Sequence, residues 1–155
     1  MKNKTRYLLL VIFGFLVPSF QIQELPITNK NILEFCKQHL KKRVGSGQCW
    51  DLAEAALNFA NADWSAPYNF GDEIERKKTP LLAGDIIQFE KVQLESEGNF
   101  VAFPLHTAIV YKVLDKDRII IVHQNFNGVK KLGTFELNLQ DLTKGTIQFF
   151  RPKGK

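Results

Sequence analysis

Two cysteines and three histidines are the whole supply of thiol and imidazole in this chain of 155 residues. So few cysteines exclude a disulfide-dense exported scaffold. Cys36 and Cys49 can form one bridge at most, and the helical setting of Cys36 favours a free, buried thiol instead. A structural zinc site normally needs two closely spaced ligand pairs. Only Cys36 and His39 have that spacing, so no metal and no other cofactor is expected. A strong charge of one sign is also missing. Of the 21 basic residues, Lys2, Lys4 and Arg6 stand at the extreme N-terminus; beyond residue 20, 18 basic side chains face 16 acidic ones. That balance is too even to argue for nucleic acid. Lys41-Lys42-Arg43 and Arg76-Lys77-Lys78 are read as solvated surface, with an anionic partner such as a cell wall as the other option. Nor does any apolar run reach the roughly 20 residues of a membrane-spanning helix. Leu8 to Val17 is shorter, follows a basic head and ends at Pro18-Ser19, the layout of a secretory signal peptide over residues 1–20. No A-x-A cleavage pattern is present, and an uncleaved anchor is the alternative. The expectation is a secreted or periplasmic protein without a stable membrane span.

The length suits one domain with its own core. Residues 21–28, with Pro26 and little periodicity, read as a linker, and the domain as 29–155. The spacing of Ile32, Leu33, Phe35, Cys36 and Leu40 predicts a helix from about Asn31 to Lys42, capped by Asn29 or Asn31. Gly45-Ser46-Gly47 breaks the chain. A second helix, rich in Ala and Leu, is predicted from about Cys49 to Ala60. Residues 61–80 carry turn signals and a charged stretch and read as a long surface loop. Strands are expected at Asp85–Phe89, Thr107–Leu114, Arg118–His123 and Thr146–Arg151, with Asp115-Lys116-Asp117 as a hairpin turn. Helices followed by an antiparallel sheet make an α+β domain.

The segment Gly45-Ser46-Gly47-Gln48-Cys49-Trp50-Asp51 places a cysteine at the first turn of a helix. Unpaired backbone N–H groups and the helix dipole favour a thiolate there, and the same groups can hold an oxyanion. The small residues before Cys49 would let a substrate chain approach closely. His106, read as opening an apolar strand, is the candidate general base. A third group normally orients such a histidine. His123 and Asn125 are the candidates, two apart and therefore on one face of an extended chain, with Gln124 facing away. His39 reads as a surface residue. Gly84-Asp85 reads as a structural turn into the first core strand.

Four pieces carry a family resemblance: GSGQCWDLA at 45–53, LLAGDIIQF at 81–89, HTAIVYKV at 106–113 and IIIVHQNFN at 119–127. Their order and spacing resemble the CHAP amidases and the related NlpC-like cell-wall peptidases. CHAP members commonly carry Glu-x-Asn where this chain has His123-Gln124-Asn125, whereas NlpC-like members often use a histidine as the third group. The GQCWDLAEAAL wording is also similar to papain-like domains of unproven activity, one of them at the end of a fungal myosin-interacting protein. The resemblance implies a papain-like fold of CHAP or NlpC type. It also implies a thiol amidase or peptidase that cuts an amide of peptidoglycan, or a peptide, through a Cys49 thioester; a monomer is expected. Resolution of that thioester by an amine, giving acyl transfer, is a third option that no feature of the sequence excludes. A non-catalytic binding or scaffold domain on the same fold is the alternative from another class.

Overall fold

The computed structural model describes residues 24–155, so the expected signal peptide and the start of the expected linker lie outside the described residues. Helix α1 spans Ile27–His39 and buries Ile32, Leu33, Phe35 and Cys36, the stripe that its periodicity predicts. It begins four residues earlier than expected, inside the stretch read as a linker. Pro26 holds the cap position and accepts the first helical hydrogen bond, from the Lys30 N–H at 3.0 Å. Neither Asn29 nor Asn31 is the cap. Asn29 is fully buried instead and donates to the Ala83 carbonyl and the Asp85 carboxylate, both at 3.0 Å. Helix α2 spans Cys49–Phe59 and buries Leu52, Ala53, Ala56 and Leu57. No helix among the described residues is long and apolar enough to cross a membrane.

The stretch 61–80 is mostly irregular, with two short strands, β1 (Ala62–Asp63) and β2 (Asp72–Glu73). Three long strands and two shorter ones follow: β3 (Ile86–Ser96), β4 (Asn99–Val113), β5 (Arg118–His123), β6 (Gly133–Asn138) and β7 (Leu142–Arg151), with β8 (Lys153–Gly154) pairing β1. The main sheet is antiparallel, in the order β2-β7-β3-β4-β5-β6. The expected α+β class with helices before an antiparallel sheet therefore holds. Two details differ. β3 and β4 extend as a long hairpin to a turn at Glu97-Gly98, both with positive φ as a two-residue hairpin turn requires. His106 consequently lies in the middle of β4 and does not open a strand. β6, an edge strand with one fully apolar buried position at Leu137, was not anticipated.

The sheet separates two apolar layers. Ile86, Ile109 and Val122 are direct cross-strand neighbours and meet Leu52, Ala53, Ala56 and Leu57 of α2. The alternate residues Ile87, Ala108 and Ile121 face the other way, into a layer with Phe89, Phe103, Leu137 and Phe149. Period-two alternation makes these two sets exclusive.

Asp85 ties the layers together. Its side chain is buried and accepts from Leu82 N at 2.7 Å, from Asn29 and from Arg151, whose Nε and a terminal nitrogen stand 3.1 and 2.9 Å away. One carboxylate thus joins α1, the entry to β3 and the end of β7. Substituting Asp85→Ala strands the Arg151 guanidinium and should cost about 3 kcal/mol of stability, read as a lower urea midpoint; a midpoint within error of the parent would remove the anchor role.

Candidate functional site

The loop before Cys49 is shaped around one carboxylate. Asp51, in the first turn of α2, accepts from the Ser46 hydroxyl at 2.7 Å and from the Gln48 N–H at 3.1 Å. Burial raises its pKa somewhat. The bonds from Ser46 and from backbone N–H groups outweigh that and hold the carboxyl below its ordinary range. Gly45 has φ +55°, and a side chain there would press on Asp51. Gly47 has φ +90° and packs against Arg43 and Lys130. These glycines serve the tight wrap of the loop. The N–H groups of Cys49 and Trp50, at the open end of the helix, have no partner among the described residues. Both cysteines are free. Cys36 is buried, with burial pushing its thiol up to about 12, and Cys49 is half-buried.

Gln124 was read as facing away and is the main fastening of this loop. It is buried at the end of β5, donates to the carbonyls of Val44 (3.0 Å) and Gln48 (2.6 Å) and accepts from the Val44 N–H. Asn125 donates to the Gln48 side chain at 2.6 Å. It does not share a face with His123, because β5 ends at His123 and Asn125 turns with φ +59°. Asn125 supports the Cys49 loop and is not the partner of His106.

The imidazoles of His106 and His123 are hydrogen-bonded to each other, Nε2 to Nδ1, at 3.1 Å. One ring donates and the other accepts, which suits two neutral rings, and the second nitrogen of each ring has no partner among the described residues. His106 is the cross-strand neighbour of Phe89, and His123 follows Val122; both therefore project into the Phe layer, away from the face that α2 covers. Phe103 and Phe126 pack against both rings, with centroids 5.1 to 6.4 Å away. Burial depresses both groups to about 4, and the neighbouring His123 adds to the effect on His106. Cys49 makes no hydrogen bond to either ring among the described residues. The helix-covered face instead presents Thr107, which donates to Gln88 at 2.7 Å. His39 is half-buried, its Nδ1 2.8 Å from the Phe35 carbonyl oxygen and its ring stacked on Phe35. No group of three or more metal-ligating side chains gathers among the described residues.

Trp50 forms a wall beside Cys49 with Trp64, Tyr68 and Phe70, at centroid distances of 5.5 to 6.0 Å. Tyr68 stays 41% exposed and gives that wall an open aromatic edge. Adjacent Trp and Tyr at helical and loop positions carried no periodic signal to reveal this grouping.

Residues 28–155 match the family model described as the AIM3/BBC1 cysteine proteinase-fold domain. A curated relative, "Altered inheritance of mitochondria protein 3" of Debaryomyces hansenii, is 30% identical over 143 residues, which cover 78% of this chain. The chain spans 15% of that relative's length. A crystal structure of Ly7917 with the hydrolysing product of MDP has a TM-score of 0.50 and 19% identity, over 80% of this chain and 62% of that one. The likeness to Ly7917 is one of fold. The family is of the papain-like cysteine proteinase fold, and the finer CHAP or NlpC type is not where the match falls. A yeast relative of this kind overturns the expectation of a secreted or periplasmic protein.

The imidazole pair sets a pH dependence. Between about pH 6.5 and 4 the unfolded chain takes up protons on His106 and His123 while the folded chain does not, so stability falls as pH falls through that window. The urea midpoint of the parent should drop across it, and a His106→Gln/His123→Gln double variant should show a shallower slope. Parallel slopes would mean that the rings titrate normally in the folded protein.

Proposed function

Because the chain belongs to the AIM3/BBC1 cysteine proteinase-fold family, we propose that this domain is a binding or scaffold module built on a papain-like frame. The observation that carries the reading is the side of the sheet on which His106 and His123 stand, inside the Phe layer and away from the face that α2 covers. A general base works best with a pKa near the operating pH. A ring held near 4 is neutral at pH 7 but has little affinity for a thiol proton. The absence of a Cys49–imidazole bond among the described residues agrees with this. The face around the head of α2 offers a surface in place of a reaction centre. There the exposed edge of Tyr68 and the half-buried Trp50 and Trp64 give apolar area with polar tips, the combination favoured at interfaces.

A second reading has its own support. Cys49 sits at a helix start beside unpartnered N–H groups, the setting in which a thiolate and an oxyanion are both stabilised. On that reading Cys49 attacks an amide carbonyl, His106 moves the proton, His123 orients His106, and water or an amine resolves the thioester. Ly7917, with which this chain shares a fold, was crystallised with the hydrolysing product of MDP. A peptidoglycan-type amide belongs to this reading alone.

Alkylation by iodoacetamide, followed residue by residue by mass spectrometry, separates the two. The scaffold reading expects Cys49 to react near pH 7 at the pace of an ordinary exposed thiol, with Cys36 inert as the internal reference. Incubation with MDP should leave it intact. Labelling of Cys49 about a hundredfold faster, lost on His106→Ala, would overturn the scaffold reading and restore the thiol enzyme.

A further inference from the structure

The charged stretch 76–78 and the β4–β5 turn enclose a cleft of about 460 Å³ that shares no lining residue with the Cys49 loop, well within the size range of ligand sites. Val113 at its base lies seven residues along β4 from His106, roughly 23 Å at the usual rise of a strand. Four cations border the cleft: Arg76, Lys77, Lys78 and Lys116. Its floor is apolar, made by Pro80, Leu81 and Val113, and Leu114 next to it is 37% exposed.

The state of these charges matters more than their number. Arg76 is fixed in place: it donates to the Lys116 carbonyl at 2.6 Å, reaches Asp117 at 3.3 Å and lies over the Phe149 ring at 5.7 Å. Asp115, the one carboxylate on the lining, is engaged by backbone N–H groups of Asp117 and Arg118 and by the Arg118 side chain, so its charge is already answered. Lys78 pairs with Glu75 and Lys116 with Asp117, in geometries that leave both lysines at least 75% exposed. Exposed pairs of this kind are weak and exchange partners at little cost. Lys77 has no ion pair among the described residues. The cleft therefore holds one pre-set guanidinium and three lysines free to turn toward an incoming anion, above a floor that rewards burial of hydrocarbon.

We propose that this cleft docks an acidic peptide segment of a partner protein, with an apolar side chain seated on Pro80, Leu81 and Val113 and flanking carboxylates facing the four cations. Charge complementarity selects the acidic partner. The apolar floor selects a peptide over a bare phosphate, which would leave that surface unused. The docking is independent of the chemistry of Cys49, since the two sites share no residue.

Fluorescence anisotropy with a fluorescein-labelled Glu-Asp-Leu-Phe-Asp-Glu peptide tests this. Binding should be saturable, should weaken with added salt, and should be absent for Lys-Arg-Leu-Phe-Arg-Lys. A Lys77→Glu/Lys116→Glu variant should bind about tenfold or more weakly, and Lys77→Arg/Lys116→Arg should bind like the parent. Cys49→Ser should also bind like the parent, so a failure here is distinct from any failure of the scaffold reading. No saturable binding of the acidic peptide would overturn the proposal. Equal binding of Glu-Asp-Ser-Ser-Asp-Glu, or full competition by inorganic phosphate, would overturn it in favour of a simple anion site.

Discussion

The apolar stripe Leu52, Ala53, Ala56 and Leu57 can be buried on only one face of the sheet, and that choice governs the rest of the molecule. α2 lies over Ile86, Ile109 and Val122. Every residue that alternates with those three is thereby assigned to the other layer. His106 and His123 fall in that second set, beside Phe89, Phe103 and Phe126. A shift of one residue in β4 would bring His106 under the helix and send Ile109 out of it. Hydrophobic burial therefore fixes the register first, and the imidazoles follow.

The position of Cys49 comes from a different source. Asp51 draws the loop of Gly45, Ser46 and Gly47 around the helix start, and Gln124 clamps Val44 and Gln48 from the end of β5. These contacts explain the glycines, the serine and the glutamine of the motif without any reaction. A motif shared with thiol enzymes can thus persist as a way of starting a helix against a sheet. What distinguishes an enzyme from a scaffold in this frame is the path from sulfur to imidazole, and the scaffold reading rests on the face of the sheet to which His106 is turned.

Several elements were legible in the sequence because local signals agree there. Ala and Leu after a glycine break define α2 within a residue of its end, and β5 is bounded as read because Asp115 to Asp117 and Gln124 both interrupt extended structure. The outer half of the β3–β4 hairpin was hidden by Glu90, Lys91, Gln93 and Glu95, polar residues on a part of the sheet open to water. Missing that half displaced the start of β4 and with it the setting of His106. The pairing of His106 with His123 followed correctly from adjacent strands. The face on which the pair stands did not, because strand alternation says which residues share a side and says nothing of which side a distant helix will cover. Asn125 failed for a sharper reason, since alternation ends where the strand does.

The mutual bond of the two imidazoles also carries an electrostatic consequence. Each ring, buried among phenyl groups, resists a positive charge, and the second ring makes a first proton harder to add. A thiolate at Cys49 would then have no imidazolium as counter-ion and would depend on the helix terminus alone. Papain-like chemistry relies on a histidine that can both accept and return a proton near neutral pH. A histidine enclosed in this way holds a neutral core together better than it shuttles protons. On the scaffold reading, the Phe residues around it, numerous for a chain of this length, are the feature that makes a packing element of an arrangement resembling a catalytic pair.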